Sequence, residues 1–442
     1  MRDSDSRLAV ALDATPLLGF RTGVGVFCQW ALDSLRRRDE LAVSAFAISW
    51  RRRRGISDHV PPGVRVIDTP MPARPLHRAW SMGGVPPIEW FTGRQAVVHG
   101  TNFVVPPTRR AARVMTVHDL TSVRFPELCD DYTRRFPRLV CRALDEGAWV
   151  HTPSEFVAAE VVDLLGAPPE RVRAVHHGVP PLEVPGALAA GTPAAESDAP
   201  EPGASDSGAA KAGARRGAGV PGPAVLAIGT IEPRKDLPTL VRAFDLVAAE
   251  EPELRLVVAG ADGWGVPAYE EAVGASAHAG RILRLGYVDS RLRSDLLRHA
   301  SLYAYPSLYE GFGLPPLEAM LAGVPVLTTD AGALPEVVGD AAAMVPVGDV
   351  GAMAAAMRRL LTDDSARAAL VAAGRARAAS YRWEDSAAGL SALYADAAAE
   401  RGSRGGSWWW PSSCADGCPG ASAPMPPDCF PGWERWVTPG SK

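Results

Sequence analysis

YPSLYEGFGLPPLEAMLAGVPVLTTDAGALPE, residues 305–336, holds a strand end, a glycine turn, a helix and a second strand in succession. The apolar run entering it ends near Ser307, Gly311 and Gly313 supply the turn, and Pro315 and Pro316 open a helix that stops near Gly323. VPVLTTD then reads as a strand. Strands joined through a helix pair in parallel, because the crossover carries the chain back to the edge where it began. A helix amino end preceded by glycines presents unpaired N–H groups and a positive dipole end, which suits a phosphate. Glu310 precedes the turn and Glu318 lies in the helix's first turns, with seven residues between them. Two carboxylates so placed can address opposite ends of one ligand, each charge-assisted bond to a sugar or ribose hydroxyl being worth about 1.5–3 kcal/mol. Acidic residues near a helix start also complement its dipole, and spacing alone does not choose between the readings.

Outward from this run the same alternation continues. AVLAIGTI, LRLVVAG, RILRLGYV, SLYAYPS, VPVLTTD and AAAMVPVG read as strands between helices. Leu237, Leu240, Val241, Phe244 and Val247 share one face of a helix that Asp236 is placed to cap, with Pro238 in its first turn. In the amino-terminal half LAVALDA, LAVSAFAIS, AVVHGTN, RVMTVHDL, AWVHTPS and VRAVHHGV form a second such series. The fold class is therefore α/β, with two Rossmann-like doubly wound domains. Such domains bind ligands outside the carboxyl ends of their strands, in the cleft where they face each other.

The expected boundaries are an amino-terminal domain over 1–180, a linker over 181–222, a second domain over 223–380 and a helix over 381–400. An irregular tail over 401–442 follows. The linker's Ala, Gly, Pro and Ser bury too little apolar area to offset ordering, so it is expected to be disordered. The tail holds Trp408, Trp409, Trp410, Trp433 and Trp436, five of the twelve tryptophans, and no role is read for it.

Composition removes several functions. A net charge of −4 excludes general nucleic-acid binding, which needs a surplus of Lys and Arg on one face. Cys28, Cys129, Cys141, Cys414, Cys418 and Cys429 include no C-x-x-C pair, so neither a disulfide framework nor a zinc site is supported. No apolar run is long enough to span a bilayer, and MRDSDSRLAVALDATP does not read as a secretory signal. The expected location is the cytoplasm. Arg36 to Arg38 and Arg51 to Arg54 form two basic clusters, read either as solvated surface or as contacts to an anionic membrane on its inner face.

The 305–336 run resembles the E-x7-E signature of retaining glycosyltransferases of the GT-B fold, family 4. GTIEPRKDLPTLVRAF (229–244), RVMTVHDLTSVRFPE (113–127), AVVHGTNFVVPP (96–107), TPSEFVAAEVVDLLG (152–166) and YRWEDSAAGLSALY (381–394) are similar to other segments of that family. The resemblance implies that Arg234 and Lys235 hold the donor diphosphate and offset charge growing on the leaving group. It places Glu318 on the ribose, the N–H groups of Gly311, Phe312, Gly313 and Leu314 on the phosphates, and Glu310 and His118 beside the transferred sugar. In GFRTGVGVF a loop with Gly23 and Gly25 approaches the donor. Asp119 orients a loop or the His118 imidazole, and His99 reads as a packed or turn histidine. No Asp-x-Asp metal motif is evident, so no metal and no cofactor are expected. The same likeness, to mannosyltransferases bearing EPRK, makes GDP-mannose the first donor to expect, with glucose, rhamnose and N-acetylglucosamine donors also compatible, and a growing cell-surface glycan or glycolipid the acceptor. A nucleotide-sugar epimerase of the same fold, a dinucleotide oxidoreductase and a non-catalytic sugar- or membrane-associated scaffold are the alternatives. The helix begun by Trp383 is expected to return to the first domain.

Overall fold

The computed structural model describes residues 7–18, 22–130, 133–183 and 222–403, which divide into two compact units. The first comprises residues up to Gly178 and the segment from Trp383 onward; the second runs from Val179 to Arg382. Most of the expected linker (184–221) and tail (404–442) lies outside the described residues.

The first unit contains β1 (Leu8–Asp13), β2 (Leu41–Phe46), β3 (Arg65–Ile67), β4 (Val97–Gly100), β5 (Ala112–Thr116), β6 (Trp149–Thr152) and β7 (Val172–Ala174). Their order is β3-β2-β1-β4-β5-β6-β7, and every pairing is parallel. Val10, Ala11 and Leu12 of β1 are all buried, as a strand covered on both faces requires. Val10 and Leu12 pack with Phe27, Leu32 and Leu35 on one face, while Ala11, Val98 and Met115 pack with Ile88, Val140 and Val157 on the other. Strand β3 was not foreseen: it has three residues, of which only Ile67 is buried, too few for a periodic signal.

The helix Trp383–Ser403 closes the first unit, with Trp383, Leu390, Leu393, Tyr394 and Ala397 in its core. A buried hydrogen-bond chain ties it to the sheet, and the chain runs one way. The Val175 carbonyl can only accept, so His151 Nε2 donates to it at 3.0 Å. His151 Nδ1 must then accept from Thr116 Oγ1 at 2.9 Å, Thr116 Oγ1 from His99 Nε2 at 2.8 Å, and His99 Nδ1 from Tyr394 OH at 2.7 Å. His99 is thus a packed histidine in a neutral, defined tautomer.

The second unit contains β8 (Ala224–Ile228), β9 (Arg255–Ala259), β10 (Ile282–Gly286), β11 (Leu302–Tyr305), β12 (Val326–Thr329) and β13 (Ala343–Val345). The order β10-β9-β8-β11-β12-β13 is again wholly parallel. Helix Leu237–Ala248 buries Leu237, Leu240, Val241, Phe244 and Val247, the face read from the sequence. Its cap differs from expectation. Asp236 sits in the left-handed region (φ 42°) and its side chain makes no cap bond; its main-chain carbonyl accepts from Thr239 N instead. In both sheets the strand order reverses once, between β1 and β4 and between β8 and β11, which marks where ligands bind such sheets.

Burial pushes His151 down to about 3, and it lowers His99, His118 and His177 as well. Each takes up its proton at a lower pH when folded than when unfolded, so the stability they hold at neutral pH is lost as pH falls below about 6.5. At pH 5 the loss at His151 is about 2 kcal/mol. Asp13, raised by burial to about 6, runs the other way and gains stability as pH falls through that value, but it is one group against the set. Hydrogen exchange in β4 to β6 is expected to accelerate between pH 7.5 and 5.0, after correction for intrinsic rates, and less so in His151→Gln. Protection that does not change over this range contradicts the neutral chain.

Candidate functional site

At the β8/β11 switch point of the second unit, Arg234, Lys235 and Glu310 meet. After β8 the chain makes a tight turn, Pro233–Lys235, that presents Arg234 and Lys235. After β11 the segment from Pro306 lies alongside, held by Leu308 N donating to Arg234 O at 2.8 Å. Between the two strand ends is a small pocket lined by Gly229, Lys235, Tyr305 and Pro306 among others.

Glu310 is the centre of this arrangement and is 7% exposed. Lys235 Nζ donates to Glu310 Oε1 at 2.6 Å and to Tyr305 OH at 2.6 Å, and lies 4.6 Å from the Tyr305 ring centroid. Arg234 Nη1 is 2.8 Å from Glu310 Oε2 and donates to Tyr309 O at 2.9 Å, while its Nη2 is 3.5 Å from Glu232. Burial alone would raise the Glu310 carboxyl; Arg234 and Lys235 overcome that and hold it at about 2. Burial lowers Lys235, against the pull of Glu310. Behind the carboxylate, Ala333 N donates to Glu310 O at 2.8 Å. Gly332 (φ 56°) passes so close that a Cβ there would sit 2.3 Å from the same oxygen.

Glu318 occupies the second turn of helix Leu314–Ala322 and is also 7% exposed. It is ion-paired with Arg293 of helix Ser290–His299, while burial raises its pKa against that pairing. A partner one turn into the helix accounts for Glu318 better than the dipole at its start. Arg293 and Tyr305 were not singled out from sequence: nothing in RLRSDLLRHA separates Arg293 from surface arginines. Gly313 precedes the helix with φ 106°. Pro315 and Pro316 carry no N–H, so main-chain donors at this end are confined to residues ahead of them and to Leu317. The Phe312 ring is buried edge-on to Tyr381 at 5.6 Å, which leaves its main chain as the part that can meet a ligand.

The remaining candidates lie in the first unit. His118 Nε2 donates to Thr101 O at 2.8 Å, so in the neutral ring Nδ1 is an acceptor. Burial lowers its pKa, opposed by that carbonyl and by Asp119. Asp119 accepts from Thr121 N at 2.9 Å, a loop-orienting role. Gly23 and Gly25 are not loop residues: both lie in the first turn of helix Gly23–Leu35, where a Cβ on Gly25 would come 3.2 Å from Pro16 O. In the basic clusters, Arg36 and Arg37 pair with Asp33, Arg38 with Glu40 and Arg53 with Asp68. Among the described residues no cluster of His, Cys, Asp or Glu is placed to hold a metal, and no helix is long and apolar enough to cross a membrane.

Two parallel sheets of this order, one bearing a charged switch point, define a protein of two Rossmann-like halves. Residues 222–363 match the family model described as Glycosyl transferases group 1. The O-antigen chain mannosyltransferase B of Escherichia coli is 31% identical over 313 residues, covering 70% of this chain and 75% of that protein. A D-inositol 3-phosphate glycosyltransferase of Kribbella flavida is 31% identical over 332 residues, 69% of either chain. Sucrose-phosphate synthase from Thermosynechococcus elongatus shares the fold with a TM-score of 0.66 at 20% identity, over 89% of this chain and 100% of that one. The chain belongs to the group 1, family 4-like glycosyltransferases and has their GT-B fold.

Gly332→Ala is expected to displace Glu310 and lower glycosyl transfer at least tenfold, with a stability cost of about 1–3 kcal/mol from the left-handed backbone. Gly348→Ala is the control, because it has φ 74° but nothing within 4 Å of a Cβ. If transfer assays and urea midpoints find the two variants equally active and equally stable, Gly332 does not set the position of Glu310.

Proposed function

We propose that this glycosyltransferase moves mannose from GDP-mannose to a growing cell-surface glycan or glycolipid, with retention at the anomeric carbon and without a metal ion. The observation that carries the reading is the buried Arg234–Lys235–Glu310 cluster at the β8/β11 switch point, taken with the mannosyltransferase named among the relatives. In this reading the donor diphosphate takes over the two cations from Glu310, assisted by N–H groups of Gly311 to Leu314, and Glu318 accepts from the ribose. Glu310, released toward the sugar, and His118 Nδ1 accept from its hydroxyls. The bond from the anomeric carbon to the diphosphate breaks as the acceptor oxygen attacks the same face. The acceptor's proton passes to the departing phosphate oxygen. Arg234 and Lys235 then stabilise the charge left on the nucleoside diphosphate, the role a divalent ion would otherwise fill. A lipid-linked acceptor is met from a peripheral position, from the cytoplasmic side of the membrane.

The decisive test is thermal unfolding with GDP, UDP and dTDP and their sugars, in the presence of a chelator, since a ligand at 100 times its Kd adds about 2.7 kcal/mol to the folded state. Stabilisation by GDP and GDP-mannose is expected. A response to UDP or dTDP species alone replaces the donor, and no response to any nucleotide contradicts the site. With donor saturating, Arg234→Ala and Lys235→Ala are each expected to lower turnover by about 10²–10³-fold; unchanged turnover in both removes them from the reaction.

A further inference from the structure

The amino edge of the first sheet, opposite the carboxyl ends of its strands, carries a groove of about 340 Å³ whose walls include Arg7, Arg36, Arg65 and Arg94. Each arginine belongs to the segment entering a different strand: Arg7 directly precedes β1, Arg36 ends the helix before β2, Arg65 opens β3 and Arg94 leads into β4. A parallel sheet brings all these entry points to one edge, and the order β3-β2-β1-β4 sets them side by side. At about 4.8 Å between strands, the row extends some 15 Å, to order of magnitude. The groove's floor includes Ser44 and Gln95, both buried and both already bonded to main-chain carbonyls, at 3.2 and 3.0 Å.

None of the eleven residues lining the groove is Asp or Glu. Arg36 has a partner in Asp33, which it shares with Arg37. Among the described residues the guanidinium groups of Arg7, Arg65 and Arg94 make no ion pair or hydrogen bond. Elsewhere arginines are commonly matched, as in Arg113–Glu146, Arg171–Glu400 and Arg284 with Asp262 and Glu270. In a chain of net charge −4, the groove is a concave row of like charges with no acidic residue in its lining. Guanidinium groups match phosphate oxygens two at a time.

We infer that this groove binds a ligand carrying two or more phosphate groups in succession, at a site separate from the donor-binding switch point of the second unit. The phosphates come either from a soluble oligophosphate or from the headgroups of anionic lipids, and the arginines read them identically. Asp3 and Asp5 precede Arg7 in sequence, outside the described residues, so the test uses the full chain: a groove neutralised by its own amino terminus would bind nothing.

Calorimetric titration with sodium tripolyphosphate is expected to show a binding event that weakens with added salt. It should weaken at least tenfold in the triple variant Arg7→Gln, Arg65→Gln, Arg94→Gln, and less in the corresponding triple Lys variant. It should persist in Lys235→Ala, which separates it from binding at the donor site. An unchanged ligand-free thermal midpoint shows that the exposed substitutions leave the fold intact. Co-sedimentation with phosphatidylglycerol vesicles, lost in the Gln variant and absent with phosphatidylcholine, assigns the phosphates to lipid; tripolyphosphate binding without vesicle binding assigns them to a soluble ligand. No binding of either probe, or equal binding by wild type and the Gln variant, overturns the proposal.

Discussion

The second unit is organised around one carboxylate. Glu310 receives Lys235 on one oxygen and Arg234 on the other, and in doing so joins the loops that leave two adjacent strands, β8 and β11. A buried ion pair of this kind adds little net stability, because desolvation consumes most of its Coulomb gain, yet losing one partner strands an unpaired charge and costs several kcal/mol, about 3–5. Its effect is therefore on conformation: the loops have one arrangement in which every charge is matched. Tyr305 beneath Lys235 and the bare backbone of Gly332 behind Glu310 complete that arrangement.

The two units repeat one strand order with different chemistry at the switch point. In the second, charges meet. In the first, the strand ends carry Asp13, whose side chain accepts from Thr15 N and Oγ1, and Thr101, which donates to Asp13 O at 2.6 Å. Beside them are imidazoles that burial keeps neutral. In one half two cations close on a carboxylate; in the other, hydroxyls and neutral imidazoles surround the single carboxyl of Asp13. The shared topology supplies the place, and the side chains at the strand ends supply the chemistry.

Much of this was legible in the residues, for physical reasons. Strands covered on both faces write themselves as apolar runs, and the helix after Asp236 shows its buried stripe plainly. Turn glycines and prolines place Glu310, Arg234 and Lys235 at strand ends, but it was the resemblance of the E-x7-E and EPRK segments to a known family that singled them out. What was hidden depends on tertiary contact. Arg293 looks like any helix arginine until Glu318 is opposite, and β3 is too short to show a period. At Asp236 a left-handed backbone sets the residue's own carbonyl against Thr239 N. Gly23 and Gly25 read as a loop because glycine signals a turn more often than the first turn of a helix.

Matched charge has a consequence at long range. A cation pair that already faces its own carboxylate projects little field into the solvent, so an approaching anion feels almost nothing until it is within contact distance of Arg234 and Lys235. On the proposed reading of the donor site, selection there is by fit and by exchange of partners. Arg7, Arg65 and Arg94 on the first sheet are the opposite case: among the described residues no carboxylate pairs with them, so their field reaches outward for a Debye length, about 8 Å under physiological conditions. The same net-acidic chain thus has one group of cations that is electrostatically quiet and another that is not.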